Sequence, residues 1–231
     1  MENVTFGLTR LHRHGSAYFD YLALRKRFFV DTLGWQIPHD DTVEMDQYDN
    51  PQARYSLVLR DGQVIAGARA MPTTATWGEH TYMLRDAMVG KLSTIPQDVI
   101  ATEITSPRVW ECTRLVIAPD ITAMADRIQC LNLIVDGLVD MAEAAGADQL
   151  ISLSNLWLLR ALRQLGYAAD LLGKPYVNAD DGHKYAVMAI PTERSLPVVP
   201  RDLPRATHLP QNMPLHAPVR SPVRSPVRSP V

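Results

Sequence analysis

The chain has 231 residues, 46% of them hydrophobic, and its 23 lysines and arginines nearly balance 25 aspartates and glutamates for a net charge of −2. That length buries one substantial core, and the near-neutral balance excludes whole-molecule attraction to nucleic acid or to an anionic membrane surface. Residues 1–10 carry no apolar run behind a basic start and no stretch is long enough to span a bilayer, so a cytoplasmic protein without a membrane partner is expected.

Tyr18, Leu22, Arg25 and Phe29 recur at three- and four-residue steps, which predicts a helix over 16–33 with an arginine in its apolar face and Gly34 as its stop. Residues 36–51 are polar, acidic and bounded by prolines, and read as a loop with functional content. Residues 53–60 alternate as a strand, Asp61-Gly62 is a hairpin turn, and 63–71 return as a second strand ending at Pro72. A short helix is expected over 84–92. An apolar strand over 109–118, interrupted by Glu111 and Arg114, gives way at Pro119-Asp120 to a long helix over 122–145 that Gly146 caps. A strand over 149–153, a helix over 155–165 and a last strand over 184–191 follow. Hairpins first, then alternating strands and helices, indicate an α/β fold with a mixed sheet and helices on both faces.

Residues 195–231 are dominated by Pro, Arg, Val and Ser, with Pro-Val-Arg-Ser three times before a final Pro-Val. Such a composition buries too little apolar surface to offset its ordering entropy, so a disordered tail is expected behind a domain of residues 1–194. Cys112 and Cys130 form no CxxC pair and lack the His and Cys neighbours of a zinc site, and both read as small core residues. Glu111 sits in an apolar strand, where an ionised side chain is costly unless paired. Arg114 is three residues away and so on the opposite side of an ideal strand. Either a bulge realigns the two, or Glu111 pairs with Arg25 or Arg69.

Arg25, Phe29, Trp35, the run Met45-Asp46-Gln47-Tyr48-Asp49, Arg69 and the strand Trp110-Glu111-Cys112-Thr113-Arg114 together resemble, in order and spacing, the N-acyl-homoserine-lactone synthases that make quorum-sensing signals. The resemblance covers residues 5–190 and implies a GNAT-like α-β-α sandwich. It implies two substrates, S-adenosylmethionine and an acyl thioester on acyl carrier protein or coenzyme A, with no metal or redox cofactor. It places Glu111, Arg114 and Asp46 in catalysis, Glu111 as the base that frees the amine for attack. Arg25, Phe29, Trp35, Asp49, Arg69, Thr113 and Ser152 are implied in substrate binding, with Phe29 and Trp35 forming an aromatic wall for the sulfonium. Asp46 and Asp49 either orient the amine or pair with Arg25 and Arg69. Thr113 stands where many members carry serine, and Leu115 where phenylalanine is frequent. The acyl chain is expected between the long helix and the later strands, against Cys112, Met124, Ile128, Leu153 and Trp157, with the Ser152 hydroxyl facing an oxidised chain position.

The junction Ala118-Pro119-Asp120-Ile121-Thr122-Ala123 has no glycine to cradle a pyrophosphate and carries an aspartate that repels one. A carrier protein is therefore the expected donor, docking on Arg127, Arg160, Arg163 and Lys174. Two other readings are a GNAT-like N-acyltransferase acting on another amine and a non-catalytic module that binds S-adenosylmethionine.

Overall fold

One mixed sheet organises the chain, in strand order β1-β2-β3-β4-β5-β8-β6 with β7 also paired to β8. The computed structural model describes residues 1–195. The strands are β1 (Glu2–Gly7), β2 (Arg54–Arg60), β3 (Gln63–Pro72), β4 (Val109–Ile117), β5 (Gln149–Asn155), β6 (Asp170–Leu171), β7 (Tyr176–Val177) and β8 (Lys184–Pro191). The helices are α1 (Ala17–Arg25), α2 (Met83–Met88), α3 (Met124–Ala144) and α4 (Leu156–Gln164). Of the tail expected over residues 195–231, residues 196–231 lie outside the described residues.

Local chemistry sets most of these boundaries. Asp61 and Gly62 both take positive φ, 53° and 77°, as a primed two-residue hairpin between β2 and β3 requires. The 16–33 helix exists but changes character: α1 passes directly into a π-helix over Lys26–Thr32, and Gly34 at φ 73° stops it. Asn155 caps α4 by accepting the Trp157 N–H at 3.2 Å. Leu131, Ile134, Val135, Leu138 and Ala142 of α3 lie on one stripe and are buried against β1 to β4. Gly137 lets α3 approach closely, since a Cβ there would meet Asn3 Oδ1 and Ser56 Oγ at 2.5 Å.

The two faces of the sheet carry different chemistry. Alternation along β3 and β4 sends Ala68, Ala70 and Cys112 toward α3 and α4, and Arg69, Glu111 and Thr113 toward α1 and α2. Helices thus cover both faces, as the element order implied.

Two interruptions shape the middle of the sheet. Between Gly67 and Arg69 the register of β3 against β4 shifts, because Arg114 bulges at φ 56°. The parallel pairing of β4 with β5 runs only from Val109↔Gln149 to Cys112↔Ser152. Beyond it β4 continues along β3 to Ile117 while β5 continues along β8 to Asn155, so the sheet forks immediately after Cys112. Among the described residues no helix is long and apolar enough to cross a membrane.

Candidate active site

The acidic segment after Trp35 is drawn into the core by a backbone bond, the Glu44 N–H donating to the Leu22 carbonyl of α1 at 3.2 Å. Three carboxylates then meet three guanidinium groups. Arg25 Nε donates to Glu44 at 2.5 Å, and its terminal nitrogens hold both oxygens of Asp49 at 2.8 and 2.9 Å. Arg69 donates to both oxygens of Asp46 at 2.5 and 3.2 Å, lies 2.9 Å from Asp49, and reaches the Thr113 hydroxyl at 3.1 Å. Arg114 closes the set, with Glu44 at 3.2 Å and Asp46 at 2.7 Å. Three positive and three negative charges cancel, which is what makes their burial tolerable.

Burial alone raises the Asp46 and Asp49 carboxyls. Arg69 with Arg114 at Asp46, and Arg69 with Arg25 at Asp49, outweigh it and hold both below the usual carboxylate range. The side chains of Arg25 and Arg69 have no exposed surface, whereas 9% of Arg114 is exposed, so Arg114 is the guanidinium of the three placed to meet a ligand. Its left-handed backbone is a strained conformation, held by the Tyr21 hydroxyl donating to its carbonyl at 2.8 Å.

The bulge option for Glu111 and Arg114 is half realised. A bulge is present, but it aims Arg114 at Glu44 and Asp46. Among the described residues Glu111 takes no arginine hydrogen-bond partner either; its two oxygens accept the N–H groups of Met83 and Leu84 at 2.7 and 2.8 Å, capping the first turn of α2. Free backbone donors at a helix start are natural partners for a carboxylate, and they leave no side-chain signature in the sequence. Burial pushes Glu111 up to about 7 against the lowering effect of those two bonds and of Arg69. A carboxyl poised near neutrality beside a site is suited to proton transfer.

Aromatic rings close the side next to Arg114. Its guanidinium lies over the Phe29 ring at 5.6 Å, Phe29 stacks on Trp35 with centroids 4.9 Å apart, and Trp35 meets Tyr185 edge-on at 5.9 Å. Asp181 ties this group together, accepting from Trp35 Nε1 at 2.8 Å and the Tyr185 hydroxyl at 2.7 Å. Trp35, Phe29, Arg114, Asp46, Arg69 and Thr113 therefore form one continuous chain of contacts.

The fork lies between this charged face and a small apolar cavity of about 20 Å³ under α3 and α4, lined by Ala68, Cys112, Leu115, Leu138, Ser152 and Leu158 among others. Cys112 and Ser152 are among its lining residues. Met124, Ile128 and Trp157 are not: they are 58%, 47% and 40% exposed, and Leu153 alternates away from Ser152. Met124 and Ile128 are in phase with the buried stripe of α3 but sit in its first turns, where they are left exposed. Periodicity sets the direction of a side chain, not the length over which a helix is covered. Glu44, Asp86 and Asp181 were not singled out from the sequence, and Tyr48 stood in the Met45–Asp49 run without a role of its own.

The family model described as autoinducer synthase matches residues 10–196. The chain belongs to the autoinducer synthase family. The acyl-homoserine-lactone synthase of Acinetobacter nosocomialis is 31% identical over 166 residues, covering 68% of this chain and 84% of that one. That of Rhizobium etli is 26% identical over 160 residues, covering 68% and 70%. Among solved structures, TofI in a ternary complex with an inhibitor and MTA is 26% identical with a TM-score of 0.65, covering 84% of this chain and 92% of that one. BjaI, a CoA-dependent acyl-homoserine lactone synthase solved with SAM and isopentyl-CoA, superposes with a TM-score of 0.66 at 20% identity, covering 82% of each, and shares the fold.

Proposed function

We propose that this autoinducer synthase is an acyl-homoserine-lactone synthase that acylates the amine of S-adenosylmethionine and closes the product to a lactone. The observation that carries the reading is Glu111, a buried carboxyl raised to about 7, standing beside the three-arginine network at the mouth of the sheet fork. An α-amine is mostly protonated at neutral pH, so attack requires an acceptor for its proton. Glu111 takes it, directly or through water. The amine nitrogen then bonds to the thioester carbonyl carbon and the thiol leaves. The methionine carboxylate next displaces methylthioadenosine from the carbon bearing the sulfonium, and the lactone ring forms with its electron pair returned to sulfur.

The rings of Phe29, Trp35 and Tyr185 give the sulfonium an electron-rich wall, worth on the order of 1 kcal/mol or more once water is excluded. Arg114 is placed for the methionine carboxylate. Arg25 and Arg69, with no exposed surface, hold the acids rather than the ligand. The acyl chain passes through the fork toward Cys112 and Ser152. Its donor is a carrier-bound thioester, favoured by Asp120 at the junction before α3, and no metal or redox cofactor takes part. Of the four basic residues offered to the carrier, Arg127 is engaged with the Ile121 carbonyl at 2.9 Å and Arg163 with Asp170 at 2.7 Å, which leaves Arg160 and Lys174 as the better candidates.

Purified protein with S-adenosylmethionine and matched acyl-carrier and acyl-coenzyme A donors tests this by mass spectrometry. Lactone and methylthioadenosine in equal amounts are expected. Acylation of free amino acids in place of S-adenosylmethionine, or binding without turnover, defeats it.

A further inference from the structure

Asp86 of α2 has a fully buried carboxylate that no step above uses. Its Oδ1 accepts the Thr81 hydroxyl at 2.8 Å, while its Oδ2 accepts the Tyr48 hydroxyl at 3.0 Å and lies 3.1 Å from His80 Nδ1. The Thr81 N–H reaches both oxygens at 3.2 and 3.3 Å, and Lys91 Nζ stands 3.5 Å away. A buried acid is costly unless its oxygens are used, and here donors come from two separate parts of the site.

One arm leads to the proton acceptor. Thr81 and Tyr82 run directly into Met83 and Leu84, whose N–H groups hold Glu111 at 2.7 and 2.8 Å. Asp86 also donates its own N–H to the Tyr82 carbonyl at 3.1 Å. A helix of six residues is too short to fix its own end, so the position of those two N–H groups depends on what ties down the residues before them. The other arm leads to the ion-paired network. The Tyr48 N–H donates to Asp46 at 2.9 Å, and the Tyr48 ring lies 5.6 Å below the guanidinium of Arg69.

Resting on the functional reading above, we propose that Asp86 is a positioning residue for acyl transfer. Through Thr81 it fixes the helix end that holds Glu111, through Tyr48 it fixes the turn that holds Asp46, and it thereby sets the spacing between proton acceptor and amine-donor site. The charged and titratable groups facing Glu111 are Arg69, Asp46, Tyr48 and Tyr82, with Cys112 its chain neighbour on the opposite face of β4. Those facing Asp86 are Tyr48, His80 and Lys91.

The two arms separate by experiment. Steady-state kinetics and their pH profiles are measured for the parent, Thr81→Val, Tyr48→Phe and Asp86→Asn, with Tm alongside. Thr81→Val should raise the ascending limb of kcat by about half a pH unit and lower kcat at pH 7 about twofold, with KM for S-adenosylmethionine unchanged. Tyr48→Phe should raise that KM roughly fivefold and leave the limb in place. Asp86→Asn should show both. Parent-like limbs and KM values in all three variants, or activity losses that only follow Tm, overturn the proposal. Should Asp86→Asn not fold, the two single-arm variants decide the same question. A parent that makes no lactone defeats the functional reading instead. Infrared titration of the Glu111 carboxyl in parent and Thr81→Val then tests the first arm, and an unmoved midpoint overturns it.

Discussion

Glu111 binds its proton more tightly in the folded chain than in the unfolded one, because burial raises it from 4.5 to about 7. Between those pH values the folded state holds the extra proton, so the free energy of unfolding falls as pH rises, by on the order of 3 kcal/mol, and levels off above 7. Glu111→Gln removes this slope, and urea unfolding at pH 5 and pH 8 should then give closer midpoints than in the parent. The same substitution should cut lactone formation by about 10²- to 10⁴-fold. Asp46 and Asp49 carry the opposite sign. Both are held below the ordinary value of 3.8, so their stabilisation is complete above about pH 4 and is lost as pH falls through their folded-state values. Arg69→Met leaves these two acids buried with one partner fewer and should cost about 3–5 kcal/mol, a fall of roughly 10 °C in Tm by thermal melting.

At the scale of elements, close approach of α3 to the first two strands depends on Gly137. Gly137→Ala presses a methyl group against Asn3 and Ser56, whose side chains are already bonded to each other at 2.9 Å, and should destabilise by about 1–3 kcal/mol in chemical unfolding. The elements read correctly from the sequence are those with a strong period, an apolar run or a turn signal: the helix through Arg25 and Phe29, the Asp61-Gly62 hairpin, α2, β4, α3, β5, α4 and β8. β1 escaped because Asn3 and Thr5 face α3 while only Phe6 and Gly7 are buried, so no apolar alternation marks it. β6 and β7 are two residues each, too short to show any period. The π-helix after Arg25 was invisible because apolar spacing does not distinguish a widened turn from an α-helical one. For the site, the arginines and aspartates were legible as charges out of place in apolar or bounded segments. Glu44 was not, because beside Asp40 and Asp41 it looks like one more acid in a polar loop, and it is long-range bonds to Leu22, Arg25 and Arg114 that bury it. The partner of Glu111 is backbone, and Asp86 gathers donors from residues up to 38 positions away, so neither is written locally.

Across the whole molecule, α3 packs mainly on β1 to β4 and α4 on β5 and β8, while the strands of the two halves share only the four residue pairs from Val109↔Gln149 to Cys112↔Ser152. That narrow join is a seam within one continuous core, and a thioester chain laid across it, as proposed above, would act as a stitch between its two sides. Anything that binds only the assembled state raises its stability by mass action. In differential scanning calorimetry, a non-hydrolysable acyl thioether should therefore move the parent's unfolding transition to higher temperature, by an amount that grows with its concentration. The opening in the sheet proposed above for the acyl chain would then make substrate a part of the fold.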